Sequence, residues 1–149
     1  MSTELDKKVL SCFLRKGVVY IRSYARATTG VWIGHGPVFT ASPDDVATLG
    51  QHLHDAVAYS IHGVAHPPQD QRREAAKPML EAAGVKSWQS LARGAKHVGI
   101  RAVGDRITFT PSARYHEKGG MKLDDQAIEA VADSASLGVL LQQAFARCE

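Results

Sequence analysis

The sequence has only two cysteines, Cys12 and Cys148, near opposite ends of the chain. Two thiols build neither a disulfide framework nor a structural zinc site, which normally gathers about four ligands. Both read as reduced, with a bridge between the two ends as the other arrangement open to them. Long apolar runs are missing as well, and nothing approaches the ~18 residues a membrane helix needs. The opening stretch from Met1 to Lys8 is polar and lacks the apolar centre of a signal peptide. The expected location is therefore cytoplasmic, with no membrane partner. No serine sits in a Gly-x-Ser-x-Gly elbow, and no glycine loop has the pattern of a phosphate cradle. Gly34-His35-Gly36 is not a dinucleotide fingerprint.

The length of 149 residues suits one domain spanning 1–149, large enough to bury a real core. The net charge of +3 is small but uneven. Lys86, Arg93, Lys96, Arg101, Arg106, Arg114, Lys118 and Lys122 are opposed only by Asp105 and Glu117, and then Asp124, Asp125, Glu129 and Asp133 reverse the sign. A basic stretch of this kind can follow phosphates, so a small nucleic-acid-binding module is one alternative. Few aromatics interleave with it, and it reads equally as solvated strand edges and loops.

Periodicity predicts a helix over 3–15, with Leu5, Val9, Leu10, Phe13 and Leu14 on one face and Lys16-Gly17 ending it. Val18 to Arg26 reads as a strand with Tyr20, Arg22, Tyr24 and Arg26 on one side, residue types enriched at binding hot spots and also at home on a wet sheet face. Val31-Trp32-Ile33 and Val38-Phe39-Thr40 flank Gly34-His35-Gly36, read as a tight turn. Ser42-Pro43-Asp44-Asp45 opens a helix, with Ser42 as N-cap and Pro43 at the first helical position. Val46, Leu49, Leu53 and Val57 form its buried stripe. Gly50 lies on that stripe too, where a glycine costs ~1 kcal/mol against alanine unless another element approaches closely.

Residues 60–70 read as a loop, and 71–83 as a helix that Pro78 breaks or kinks and Gly84 ends. Ser87 caps a short helix. Lys96–Ala102 and Arg106–Thr110 form a hairpin at Gly104-Asp105. A loop over 111–122 follows. Asp124 and then Asp133-Ser134 are expected to cap two further helices, the last burying Leu137, Leu140, Leu141, Ala144 and Phe145. The phrase at 47–57, with Leu49-Gly50, returns at 135–145 with Leu137-Gly138. Each copy follows a strand-like segment, which points to a strand–helix pseudo-repeat. The resulting fold class is α+β, one domain, with a largely antiparallel sheet of about five strands covered on one face by helices. Trp32 and Trp88 are expected in the core, with exposure at an interface as the other reading.

Chemistry is sparse. His52 and His54 are two apart on a helix and face different ways, and His62 and His66 have ligand-like spacing but lie in a predicted loop with no cysteine near, short of the roughly four ligands a structural zinc site gathers. No metal and no cofactor is expected. His35 could be an exposed imidazole or the tip of a hairpin. His97, Arg114, His116 and Glu117 could supply a base, an acid and a phosphate clamp, so a small hydrolase or ribonuclease with a His–Glu pair is the other alternative. A mobile polar loop explains 114–118 as well.

Several stretches together resemble a known family. They are Val31-Trp32-Ile33-Gly34-x-Gly36-Pro37-Val38-Phe39, then Leu49-Gly50-x-x-Leu53, Gly84-Val85-Lys86-Ser87-Trp88, Gly104-Asp105-Arg106-Ile107, and Leu137-Gly138-x-x-Leu141-x-x-Ala144-Phe145-x-x-Cys148. These look like the immunity proteins of bacterial contact-dependent growth inhibition (CDI) systems, over roughly residues 18–149. The motifs are structural and none is catalytic. The resemblance implies a non-enzymatic cytoplasmic protein that binds and neutralises one cognate toxin domain, one to one. That domain is the C-terminal tip of a large exported protein and often a nuclease. No direct contact with nucleic acid is then expected.

No contact residues carry over from the family. The candidate toxin-binding residues are His62, His66, Asp70, Tyr115, His116 and Glu117, chosen because they are polar, expected to be exposed, and rich in histidine or aromatic character. A nuclease inhibitor that meets a basic groove is often acidic, whereas this chain is mildly basic. Either Asp44–Asp55 or Asp124–Asp133 makes the contact, or the toxin surface differs, or inhibition occurs away from the active site.

Overall fold

A computed structural model describes residues 7–117, 120–132 and 135–149. Its centre is an eight-stranded sheet in the order β3-β2-β1-β5-β6-β7, with β4 beside β2 and β8 beside β6. The strands are β1 Lys8–Arg15, β2 Val18–Ala27, β3 Trp32–Ala41, β4 His62–Val64, β5 Lys96–Val103, β6 Arg106–Ala113, β7 Met121–Lys122 and β8 Ile128–Val131. The helices are α1 Val46–Tyr59, α2 Gln69–Ala83, α3 Trp88–Ala92 and α4 Leu137–Ala146. Among the described strands only β4 runs parallel to its neighbour. No described helix is long and apolar enough to cross a membrane.

The class is α+β as expected, but the sheet has eight strands rather than five, and helices cover both faces rather than one. On the first face α1 and α4 close the main core over Leu10, Cys12, Ile21, Val98, Ile100 and Phe109. On the second, α2 and α3 close a smaller core of Phe13, Tyr20, Met79 and Leu91.

That second core explains the largest departure from the sequence reading. The first described element is a strand, not a helix; residues 1–6 of the expected helix lie outside the described residues. Strand β1 is central and buried on both sides, so Leu10 and Cys12 face one core and Phe13 the other. A strand buried on both faces reads as a continuous apolar run, which periodicity alone does not separate from a helix. Lys16 and Gly17 still mark its end, as the two left-handed residues (φ 50° and 75°) of a tight hairpin that pairs Arg15 with Val18.

Gly34-His35-Gly36 is not a turn. It lies within β3, where the register passes from Ile21↔Phe39 to Ser23↔His35, so two steps of β2 meet four of β3. The surplus residues form a bulge around Gly36 (φ 80°) and Pro37, tolerated because β3 is an edge strand. His35 is thereby half-buried rather than displayed at a tip.

Helix α1 starts later than expected. Asp45, not Ser42, is the N-cap, accepting from Thr48 N at 3.2 Å and from Thr48 Oγ1 at 2.7 Å. Ser42 instead accepts from Asp44 N at 3.3 Å, which makes 42–45 a turn before the helix. Leu49, Leu53 and Ala56 are buried, while Val46 is exposed and Val57 partly so. The expected close approach at Gly50 is present. The two copies of the repeated phrase become α1 and α4, and their glycines face each other, with a Cβ on Gly138 falling 3.1 Å from Gly50 N. Ser23 Oγ donates to Ala56 O, and Ser60 Oγ donates to Tyr24 O at 2.7 Å, so polar groups tie α1 to the sheet as well.

Helix α2 begins at Gln69, inside the expected loop, and that loop also contains β4. Pro78 does not break it. Gly84 (φ 71°) ends it, with Val85 N–H reaching back to Leu80 O at 3.0 Å. Ser87 caps α3 by accepting from Ser90 N at 3.1 Å. The β5–β6 hairpin turns at Gly104-Asp105 as expected, pairing Val103 with Arg106. The expected loop after it holds the end of β6 and all of β7. Asp124 does not cap an α-helix: Asp124–Gln126 is a single 3-10 turn behind Leu123, followed by the unforeseen strand β8 against β6. Asp133 and Ser134 lie outside the described residues; α4 starts at Leu137 behind Ser136. It buries Leu137, Leu141, Ala144 and Phe145, with Leu140 partly covered.

Candidate functional site

Strand alternation sends Tyr20, Arg22 and Tyr24 to the α2 side of β2. This is the tyrosine–arginine face seen in the sequence, but it is not wet: α2 lies across it and Arg22 is only 6% exposed. Between β2, β3 and α2 lies a cavity of about 170 Å³, with Arg22, Tyr24 and Gly34 among its floor residues and Trp32, Arg72 and Trp88 around it. The guanidinium of Arg22 lies close against Gly34, where an added Cβ would come within 2.9 Å of Nη1 and 3.1 Å of Cζ. Nη1 donates to Ala75 O of α2. Nε is buried without a hydrogen-bond partner, and no ion pair reaches Arg22 among the described residues. Burial lowers the pKa of this guanidinium from its usual value, with Tyr24 opposing the shift.

The surroundings are positive. Arg26 lies 5.8 Å and Lys7 6.0 Å from the Trp32 ring centroid. Arg72 donates to His66 Nε2 at 3.0 Å, which leaves His66 Nδ1 to donate to Thr29 Oγ1 at 2.6 Å. Trp88 is 40% exposed rather than in the core, and its other neighbour is Phe13 at 5.9 Å between ring centroids. Phe13 continues to His97 at 4.9 Å and Tyr115 at 5.5 Å, and the last two stack at 4.5 Å.

The six candidate contact residues fall into two groups. His62 is half-buried, not freely exposed: Nε2 bonds Lys7 O at 2.6 Å and its ring meets Trp32 edge-on at 5.4 Å. His66 and Asp70 are exposed beside Arg72, at the start of α2. Tyr115 is partly buried against Phe13 and His97 instead of lying open in a loop. His116 and Glu117 are exposed, 3.8 Å apart, and Arg114 Nε lies 3.9 Å from the same carboxylate. Trp32 and Arg72 connect the first group to the cavity; the Trp88–Phe13–Tyr115 chain connects the second. Sequence reasoning missed Arg72, Trp88 and the cavity itself. The available signal was the Arg22/Tyr24 face together with the two tryptophans.

Other candidates have local explanations. His97 is held between Ser11 and Ser112, each hydroxyl 3.2 Å from a ring nitrogen. Burial, with Lys122 adding to it, lowers its pKa to about 4, so it is a neutral core histidine at physiological pH. His52 Nε2 bonds Thr40 O at 3.0 Å. The basic stretch is partly answered by the acidic one, since β8 brings Glu129 to 3.4 Å from Arg106. A groove of about 430 Å³ at Phe39, Asp55 and Tyr59 holds one carboxylate, which already accepts from Gln51. Both cysteines are free thiols.

The family model for CDI immunity proteins matches residues 11–148. This chain belongs to that family. Two solved structures share its fold. One is a protein of unknown function from Neisseria meningitidis, 19% identical, with a TM-score of 0.78 over 100% of both chains. The other is a chain of a CdiA-CT/CdiI toxin and immunity complex from Yersinia pseudotuberculosis, 19% identical, with a TM-score of 0.75 over 96% of this chain and 98% of that one. Among curated proteins, none matches this sequence. For a CDI immunity protein, an aromatic-walled pocket over a buried arginine that meets no carboxylate among the described residues is more informative than any catalytic array.

Proposed function

We propose that this chain binds the C-terminal toxin domain of a cognate CDI protein in the cytoplasm, one to one, and neutralises it without catalysis. The observation that carries the reading is the family match over nearly the whole chain. The toxin is a nuclease in this proposal, and inhibition is steric. The binding face is the α2/α3 side of the sheet, centred on the cavity at Arg22 and Trp88. A standard interface needs about 800 Å² from each partner, far more than one such cavity supplies. The interface therefore extends to His62, His66 and Asp70 at one end and to Tyr115, His116 and Glu117 at the other. A positive face of this kind suits an acidic toxin surface beside the basic nucleic-acid groove rather than the groove itself, which fits an immunity protein that carries a net charge of +3.

The test is co-expression with the C-terminal toxin domain of the cognate CDI protein. Survival of the host and co-purification of the pair support the reading. Death of the host, or a tip that never associates, ends it. A DNA or RNA complex whose affinity falls steeply with salt would favour the nucleic-acid alternative instead.

A further inference from the structure

We infer that the cavity over Arg22 receives one carboxylate side chain, an aspartate or glutamate of the partner toxin domain, which supplies an ion pair that Arg22 does not make among the described residues. This rests on the immunity reading above and names the chemistry at its centre. A buried cation without a counter-charge is costly, and the fork of a guanidinium matches a carboxylate in a bidentate pair. Arg22 has a buried Nε with no acceptor, and its nearest described acceptor is a helix carbonyl, Ala75 O, bonded to Nη1.

The seat is built. Gly34 is the residue that lets the guanidinium lie against β3, because any larger side chain would push it away. The cavity of about 170 Å³ is well above the ~30 Å³ share of one water and below the ~300 Å³ at which small-molecule pockets begin, so its natural occupant is a side chain. Among the described residues no acidic side chain lines it, while Arg72 stands at its wall and Arg26 and Lys7 lie by Trp32. Trp32, Trp88 and Tyr24 would exclude water from the pair, which strengthens it, and aromatic residues with arginine make up the usual composition of an interface hot spot.

The experiment titrates the purified toxin tip into the wild-type protein, Arg22→Met and Arg22→Lys by calorimetry, with thermal melts of each free protein. Arg22→Met is expected to melt at or above wild type, because it removes an unpaired buried charge, yet to bind roughly tenfold or more weakly. Arg22→Lys keeps the charge without the fork and falls between. A purely structural arginine would lower melting and binding together. Single Asp→Asn and Glu→Gln variants of the toxin complete the cycle: one of them should lose as much as Arg22→Met and show no further loss when combined with Arg22→Met. If Arg22→Met does not fold, the same coupling is read with Arg22→Lys.

Binding by folded Arg22→Met within about twofold of wild type, or additive effects for every toxin carboxylate, overturns the inference. Nucleic acid that binds the free protein and is lost in Arg22→Met also overturns it, by assigning the pocket to a phosphate. A wild-type protein that fails to bind the tip at all refutes the immunity reading and this inference with it, whereas binding that ignores Arg22 removes only the pocket's assignment.

Discussion

One alanine placed at either of two facing glycines should change stability in opposite directions. A Cβ built on Gly138, the second residue of α4, falls 2.1 Å from Val46 O, 2.9 Å from Val46 C and 3.1 Å from Gly50 N. All three are backbone atoms, so no side chain can swing aside. Ordinary C···O contacts begin near 3.3 Å, so the two helices must separate by roughly 1 Å. A gap of that size forfeits about a quarter to a half of the dispersion energy of each contact it opens. Leu49, Leu53, Leu141 and Phe145 share the core beneath. Overpacking of this kind costs ~1–3 kcal/mol, and the helix-propensity gain near a helix start offsets at most ~1 kcal/mol of that. The net expectation for Gly138→Ala is a loss of about 2 kcal/mol.

At Gly50 the same built Cβ finds only Gly138 N, at 3.6 Å, an ordinary contact. Gly50→Ala keeps the mid-helix gain and is expected to stabilise by ~0.5–1 kcal/mol. Urea unfolding followed by circular dichroism at one pH reads both. If Gly138→Ala is neutral, or the two variants shift the midpoint the same way, the close-packed crossing of α1 and α4 is wrong.

Stability should fall in acid through His97. Its folded pKa of about 4 lies below the ordinary histidine value, so below roughly pH 6.5 the unfolded chain takes up a proton that the native one refuses. The loss accumulates to about 3 kcal/mol by pH 4, and urea midpoints from pH 4 to 7 should be visibly flatter for His97→Gln than for wild type. Pro78→Ala should restore a backbone bond inside α2 and stabilise by ~1 kcal/mol or more, read by thermal melting; a lower midpoint would mean that the proline shapes the helix for its seat on β3. Thiol labelling should separate the cysteines. Burial raises the pKa of both, but Cys12 is fully enclosed and should react only on unfolding, whereas partly exposed Cys148 reacts slowly in the native state. Equal rates for the two would contradict the placement of β1 at the centre of the sheet.

Much of the local structure was legible because its causes are local. Gly104-Asp105 turned a hairpin, Ser87 capped α3 and Gly84 ended α2 at the expected places. Gly50 pointed to a neighbouring element, which is α4, but the glycine that the close approach requires is Gly138, since a Cβ on Gly50 meets only an ordinary contact. The failures have a common origin. Strand β1 looked helical because the second core under α2 and α3 buries its other face, and no local pattern reveals a second covering layer. Gly34-His35-Gly36 looked like a turn because a bulge uses the same residues. Strand β8 was missed because Ile128–Val131 is short and half-exposed, so its pairing with β6 carries it more than its own pattern does.

The candidate site divides the same way. The sequence alone pointed to the family and set the alternation that places Tyr20, Arg22 and Tyr24 on one side of a strand. Tertiary structure decided that α2 lies over that side, that Gly34 makes room for a guanidinium, and that no described carboxylate meets it. Residue type and spacing set what a side chain is and which way it points. Burial and an unmet charge depend on what packs above it from some 50 residues away, as with Arg22 and Ala75, and that is a property of the folded chain.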